Sequence, residues 1–386
     1  MPTVTINPKG EARIVSGHPW VYRSDVVEVR ADRGDVVLVA GRRGAPLGYA
    51  FYSDRSEIAL RMVSRSGDAP GLETWRERLD QAVRYRDSLG IDATAYRVVH
   101  GEADRLPGLV VDRYGDYVVL QALVQSVDRL LPEITRLIAD RMQPAGILAR
   151  NDPRVRLLEG LEQRVDVLAG TIPDLVEVRE GRVTSEADLH HGQKTGLFLD
   201  QRENRLAAAS YARGRALDAF SYNGGFAMAL APVCDEVAAV DISAGAVERI
   251  KANAARNGLT NVRAVAMNVF DELRELERRG ERFDTIVLDP PAFAKNKAAV
   301  AKALSGYKEI NLRALKLLTP GGFLVTCSCS YNVTESMFAD VLASAAVDAR
   351  AEVSVVEKRM QGRDHPVLMT VPETYYLKCF ILRKLA

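Results

Sequence analysis

Residues 218–226 of this 386-residue chain read Asp218-Ala219-Phe220-Ser221-Tyr222-Asn223-Gly224-Gly225-Phe226. An apolar run, Ala216–Phe220, leads into them, and the paired glycines let the backbone turn closely into a helix. The rhythm then repeats. Val237–Asp241, Val262–Met267, Thr285–Asp289 and Phe323–Ser328 are further apolar β-runs, separated by helical stretches such as Gly245–Asn257, closed by Gly258. Alternation of this kind predicts a parallel sheet covered on both faces, with its ligands beyond the carboxyl ends of the strands.

Polar residues stand at those ends in order. The first strand ends in the glycine turn, which is not Gly-x-Gly-x-x-Gly and so offers a dinucleotide pyrophosphate no ready cradle. The second ends in Asp241, whose carboxylate can accept from two ribose hydroxyls. The third is followed by Asn268-Val269-Phe270, where an amide can meet an adenine edge. The set resembles the S-adenosyl-L-methionine site of a class I methyltransferase. That resemblance implies cofactor contacts from Asp218, Phe220, Ser221, Tyr222, Asn223, Gly224, Gly225, Asp241, Ile242, Asn268, Val269 and Asp289.

The reacting end follows from the fourth and fifth strands. Asp289-Pro290-Pro291-Ala292-Phe293 has two residues without N–H groups, which fixes the backbone and presents free carbonyls to a planar substrate. It resembles the fourth motif of nucleic-acid base methyltransferases. The fifth strand carries Cys327 and Cys329, two residues apart and so on one face; periodicity does not choose between them. A thiol fits cytosine chemistry, because thiolate attack on carbon 6 makes the otherwise inert carbon 5 enamine-like. A carboxyl group at ring nitrogen 3 would stabilise that adduct.

Elsewhere the chain reads as two further regions. Residues 1–70 hold short β-runs, Val36–Val39, Leu47–Tyr52 and Ile58–Val63, suggesting a small barrel on which Arg42, Arg43, Arg61 and Arg65 could form a patch. Residues 71–184 form an α+β module. Its helix has the apolar face Leu72, Trp75, Leu79, Val83, Leu89 and ends at Gly90; a strand over Tyr117–Val124, a helix over Val127–Arg141, a strand over Ile147–Ala149 and a hairpin turning at Glu180-Gly181 follow. Residues 185–386 are the α/β domain, in which Leu273–Arg282 is a charged run expected on one exposed helix face. Lysine plus arginine is 52 against 51 acidic residues, which excludes a polybasic tail or membrane binder but not local clustering of arginine. Four scattered cysteines exclude a disulfide framework, no Cys-x-x-Cys pair suggests a metal, and no apolar run is long enough to span a membrane. A cytoplasmic protein is expected.

Longer motifs narrow the family. Ser16-Gly-His-Pro-Trp-Val21, Gly101–Gly115, His191-Gly-Gln-Lys-Thr-Gly-Leu-Phe-Leu-Asp-Gln-Arg-Glu-Asn204, Gly306–Asn311 and Asp364-His-Pro366 occur in sequence with the sites above. Over essentially its whole length the chain resembles the bacterial 23S rRNA large-subunit methyltransferase I family, which makes 5-methylcytosine. The resemblance implies a multidomain fold: an N-terminal PUA-like RNA-binding β-barrel, a central α+β domain and a C-terminal Rossmann-like seven-stranded methyltransferase domain. It places the nucleophile eight residues after Gly321, at Cys329, and makes Asp289 the base-contacting carboxylate, with Pro290, Pro291, Phe293 and Lys308 on the substrate side. Its implied partner is 23S rRNA or a large-subunit precursor, with a homodimer left open. Two residues depart from the pattern: Asn268 where aspartate is common, and Ala292 where lysine is often found. His191 and His365 read as loop or packing residues, and Cys234 and Cys379 as structural. Three competing readings are an exocyclic-amine methylase using Asp289-Pro290-Pro291, a nicotinamide-dependent oxidoreductase, and a non-catalytic RNA-binding assembly factor.

Overall fold

A computed structural model describes every residue except Ser66 and Lys295. The chain forms two compact units. One is Met1–Gly181 with Glu186–Leu199 and Arg363–Thr374; the other is Arg182–Ser185, Asp200–Gly362 and Tyr375–Ala386.

The first unit contains two larger sheets. β1 (Thr3–Ile6), β2 (Trp20–Tyr22), β3 (Val26–Arg30), β4 (Val36–Ala40), β5 (Pro46–Tyr52) and β6 (Ile58–Ser64) pair in the order β2-β6-β5-β4-β1-β3. Alternate residues Val4, Ile6, Val37 and Val39 point inward and are fully buried. Gly48 is obligatory: its φ is +122°, and a Cβ there would lie 2.1 Å from the Ser64 carbonyl oxygen. The expected arginine patch does not form in full. Arg61 is buried and paired with Glu159 at 3.1 Å and Glu102 at 3.8 Å, whereas Arg42 and Arg43 are exposed at the β4–β5 turn.

β7 (Ala95–His100), β8 (Leu109–Tyr114), β9 (Tyr117–Ala122), β10 (Gly146–Asn151) and β11 (Arg164–Gly170) pair in the order β11-β10-β9-β8-β7. The helix Leu72–Ser88 packs Trp75, Leu79 and Val83 into a core shared with Phe51 and Val63 of the first sheet. The helix expected over Val127–Arg141 is two, Gln125–Arg129 and Leu131–Met142. Pro132 explains the break, since it has no N–H to offer a preceding turn and suits the start of a new helix. Residues 101–115 anchor buried charge: Arg86 grips Asp104, and Asp112 takes Arg97 at 2.8 Å and the Thr195 hydroxyl at 2.6 Å. Trp20 donates its indole N–H to Glu102. β12 (Val176–Glu180) and β13 (Val183–Ala187) form the expected hairpin.

The second unit is built on β14 (Arg215–Ala219), β15 (Glu236–Asp241), β16 (Val262–Ala266), β17 (Phe283–Leu288), β18 (Leu318–Ser328), β19 (Val353–Arg359) and β20 (Lys378–Lys384). Their order is β16-β15-β14-β17-β18-β20-β19; the first five are mutually parallel, and β20 runs antiparallel to both neighbours. Apolar clusters cover the sheet on both faces, one centred on Leu288, Tyr307 and Phe338, the other on Ala239, Val287 and Cys379. The charged run lies mostly in the helix Val269–Arg278, which buries Leu273 and Leu276 and carries Glu275 ion-paired with Arg278 and Arg279.

Candidate active site

At the carboxyl end of β14 the strand stops at Ala219 rather than Phe220. Phe220 and Tyr222 have left-handed φ values of 65° and 51°, unusual for bulky residues and a local strain at the turn. The turn is held from within. Asp218 is buried, and its Oδ2 accepts from the Ser221 hydroxyl and from Ala227 N at 2.9 Å, fixing the start of the helix Gly225–Leu230. Burial pushes the Asp218 carboxyl up to about 6, and its Oδ1 has no hydrogen-bond partner among the described residues. Gly224, at φ +85°, abuts Ile250, and a Cβ on Gly225 would meet Arg205 at 3.1 Å. The Asn223 carbonyl accepts from Asn253 Nδ2 at 3.0 Å.

At the end of β15, Asp241 accepts from Tyr222 N at 2.8 Å through Oδ2 and from Ser243 N at 2.9 Å through Oδ1. Beside it Ile242 is 71% exposed, and Met267, at the end of β16, is 40% exposed. Two apolar side chains thus stand open next to a carboxylate. Asn268 caps the following helix, its Oδ1 accepting from Phe270 N at 2.9 Å; the side chain of Val269 is buried in the core. The amide oxygen keeps a second lone pair for another donor.

At the ends of β17 and β18 the reacting groups converge. The Cys329 thiol donates to the Pro290 carbonyl at 3.7 Å, joining the Asp-Pro-Pro segment to the fifth strand. Asp289 Oδ1 accepts from Gln201 Nε2 at 2.8 Å, and Gln201 is in turn held by Asn204 at 2.6 Å. Cys327 is fully buried opposite Cys379; hydrogen bonding with Cys379 and burial push its thiol well above the ordinary range, so it is no ready nucleophile. Cys329 lies one residue beyond β18, at the half-buried margin of the same apolar cluster. Ser330 ties the surroundings together: its Oγ accepts from Ala294 N at 3.1 Å and lies 2.9 Å from the Tyr307 hydroxyl.

Comparison with known proteins decides the family. Residues 4–65 match the family model of a PUA-like domain, and residues 126–377 that of an S-adenosylmethionine-dependent methyltransferase. The ribosomal RNA large subunit methyltransferase I of Tolumonas auensis is 39% identical over 99% of each chain, and that of Shigella boydii 37% identical over 97% of each. The chain belongs to the ribosomal RNA large subunit methyltransferase I family. It is thus an S-adenosylmethionine-dependent methyltransferase. Its fold is that of SMU.776, whose crystal structure was determined complexed with SAH: the TM-score is 0.87 at 22% identity, covering 99% of this chain and 100% of that one.

Within this chain, Asp218, Phe220 to Gly225, Asp241, Ile242, Asn268, Val269, Asp289, Pro290, Pro291 and Cys329 stand at or just beyond the carboxyl ends of the parallel strands β14 to β18. Phe293 packs within a ring cluster, 6.3 Å from Phe220, 6.0 Å from Phe270 and 4.7 Å from Tyr307, so much of its surface is already covered. Lys308 does not join the others. It follows Tyr307 on the helix Val300–Leu317, and its ammonium is paired with Asp348 at 2.7 Å rather than with any of these residues. His365 is buried against His100, and His191 is an exposed loop residue, as expected. Among the described residues no group of three or more His, Cys, Asp or Glu could hold a metal ion. Sequence reading missed Gln201 and Asn204 as carriers of Asp289, and it missed Lys378, whose Nζ donates to the Ser330 carbonyl at 2.8 Å. The available signal for Lys378 was a lysine heading the apolar run Cys379-Phe-Ile-Leu382.

Proposed function

We propose that this methyltransferase acts on ribosomal RNA, methylating carbon 5 of a cytosine in 23S rRNA or its large-subunit precursor through a covalent Cys329 adduct. The relatives' name supplies the substrate class. The observation that carries the chemistry is the meeting of the Cys329 thiol with the Asp289-Pro290-Pro291 segment at the Pro290 carbonyl.

The strand-end residues fit S-adenosylmethionine. A glycine turn that a Cβ would crowd, a buried acceptor at Asp218 Oδ1, the Asp241 carboxylate and the open Ile242 and Met267 surfaces suit, respectively, a close backbone approach, a donor, a ribose diol and an adenine face. When bound, the cofactor supplies an electrophilic methyl group on a sulfonium. Asp241 orients the ribose, while Phe220 to Gly225 shape the turn. Cys329 Sγ, as thiolate, forms a bond to carbon 6 of the cytosine, and the displaced ring electron pair reaches nitrogen 3, which takes the proton of the Asp289 carboxyl group aimed by Gln201. Once carbon 5 has taken the methyl, its proton passes to water, the C5–H electron pair expels Cys329 as thiolate with cleavage of the S–C6 bond, and nitrogen 3 returns its proton to Asp289.

In this reading residues 1–70 contribute RNA affinity, residues 71–184 form a central domain and residues 185–386 carry out methyl transfer. Four free cysteines suit a reducing cytoplasm. No helix among the described residues is long and apolar enough to cross a membrane. The deciding experiment maps rRNA methylation by mass spectrometry with and without the protein, and incubates it with RNA containing 5-fluorocytosine. A methyl on carbon 5 and a trapped Cys329 adduct are expected. A methyl on the exocyclic amine without an adduct would replace this reading with the amine methylase.

A further inference from the structure

Lys378 heads β20, directly opposite Ser328 in the β18 register, and is 2% exposed. Two of its three N–H donors go to neutral carbonyls, Ser330 at 2.8 Å and Tyr376 at 3.0 Å. Among the described residues it forms no ion pair with a carboxylate. A buried ammonium without a counter-ion is costly, and such groups persist where a partner charge appears in function. Glu335 is close enough to interact, but its oxygens already serve Lys358 at 3.0 Å and the Tyr375 hydroxyl at 2.7 Å. The remaining anionic candidate beside Lys378 is Cys329, whose neighbour Ser330 it grips.

We propose that Lys378 is a positioning residue for the nucleophile: it fixes the Cys329–Ser330 backbone through the Ser330 carbonyl and is the counter-ion of the Cys329 thiolate. The inference rests on the reading of Cys329 as nucleophile. The groups facing Cys329 act in opposite senses. From the fourth-motif segment, the Pro290 carbonyl accepts from the thiol and favours S–H. From the helix Val300–Leu317, Tyr307 is neutral, its hydroxyl held high chiefly by burial. From β20, Lys378 supplies a positive charge that favours S⁻. Burial pulls the Lys378 ammonium down to about 8, against the opposite pull of Cys329 and Glu335, so its support is greatest below that pH. The proton lost from Sγ goes to bulk water; Lys378 keeps all three of its own.

The test is alkylation of full-length protein by iodoacetamide across a pH series, read by mass spectrometry on the Cys329 peptide. Lys378→Met should move the half-maximal pH up by about one unit or more. Lys378→Arg should stay near wild type, because charge rather than shape carries the effect. Lys378→Gln retains a donor for the Ser330 carbonyl and should shift like Lys378→Met; it serves should the methionine variant fail to fold by circular dichroism. An unmoved midpoint in a folded methionine or glutamine variant overturns the inference. Trapping on 5-fluorocytosine RNA separates the two levels. Failure of wild-type Cys329 to trap removes the nucleophile itself, whereas trapping with an unmoved midpoint removes only the role of Lys378.

Discussion

Replacing Asp241 with alanine tests the cofactor site most directly. Its two oxygens offer about four lone-pair sites, and two are occupied by the N–H groups of Tyr222 and Ser243. Those bonds aim the carboxylate and leave an acceptor site on each oxygen for a ribose hydroxyl. Losing a charge-assisted acceptor weakens binding by about 1.5–3 kcal/mol, roughly 10- to 150-fold in Kd. Ser243 N is exposed enough for water to replace the lost bond, but Tyr222, already in a left-handed conformation at φ 51°, loses the acceptor that holds it. Alanine should therefore fall toward the upper end of that range. Asparagine keeps one acceptor but turns an NH2 group toward a backbone N–H, and should lie between alanine and wild type. Titration calorimetry with SAH on the full-length protein measures both, and urea unfolding checks the fold. A folded Asp241→Ala protein that binds SAH with wild-type affinity would refute the assignment of this carboxylate to the ribose.

Cys329→Ala should abolish methyl transfer and 5-fluorocytosine trapping while leaving SAH binding intact; Cys327→Ala should lower stability by about 1–2 kcal/mol and retain substantial turnover, and activity in the first or lost trapping in a folded second would reverse the choice of nucleophile. Asp218 holds its proton up to about pH 6 in the folded chain against a reference of 3.8, so the folded state binds more protons over that interval and stability falls as pH rises through it. Asp218→Asn removes that titration, and its unfolding free energy relative to wild type should rise by up to roughly 3 kcal/mol between pH 4 and 7; a pH-independent difference in urea melts contradicts it. Reversing both exposed charges at Arg42 and Arg43 to glutamate should weaken rRNA binding and flatten its salt dependence, by about 0.9 in log–log slope for each phosphate no longer neutralised; unchanged slopes in filter binding would remove these arginines from the RNA surface. Deleting the first sheet is a poorer test, because Phe51 and Val63 belong to the core beneath Trp75.

What could be read from the sequence was what is encoded locally. The parallel strands β14 to β18 are mainly apolar runs ending in polar turns, so their order along the chain and the polar turns at their carboxyl ends were legible in Asp218–Phe226, Asp241 and Asp289-Pro290-Pro291. β2, only three residues long, and β3, whose residues are mostly exposed, carry too weak an apolar pattern to read. β20 was missed although apolar, because it completes the sheet by long-range antiparallel pairing with β18. Charged residues misled for a related reason. Arg61 resembles a surface arginine until Glu159, 98 positions away, is placed against it. Lys378 was invisible as a functional residue because its meaning lies in the burial and pairing around it. Between Cys327 and Cys329, alternation put both on one face; burial against Cys379 for the first and the contact with the Pro290 carbonyl for the second are what distinguish their surroundings.

The placement of the aromatic residues has an optical consequence. The sequence contains two tryptophans, Trp20 and Trp75, and both lie in the first compact unit. Trp75, on the helix Leu72–Ser88, packs 5.3 Å from Phe51 of the first sheet, while the aromatic rings of the second unit are phenylalanines and tyrosines. Red-edge excitation therefore illuminates one half of the molecule and leaves the other dark. A tryptophan emission melt follows the first unit alone, whereas a tyrosine absorbance melt samples both units, and a divergence between the two would show that they do not unfold together. A tryptophan introduced at Phe270, beside the cofactor turn, would give the silent unit a reporter of its own, legible against two native signals whose positions are known.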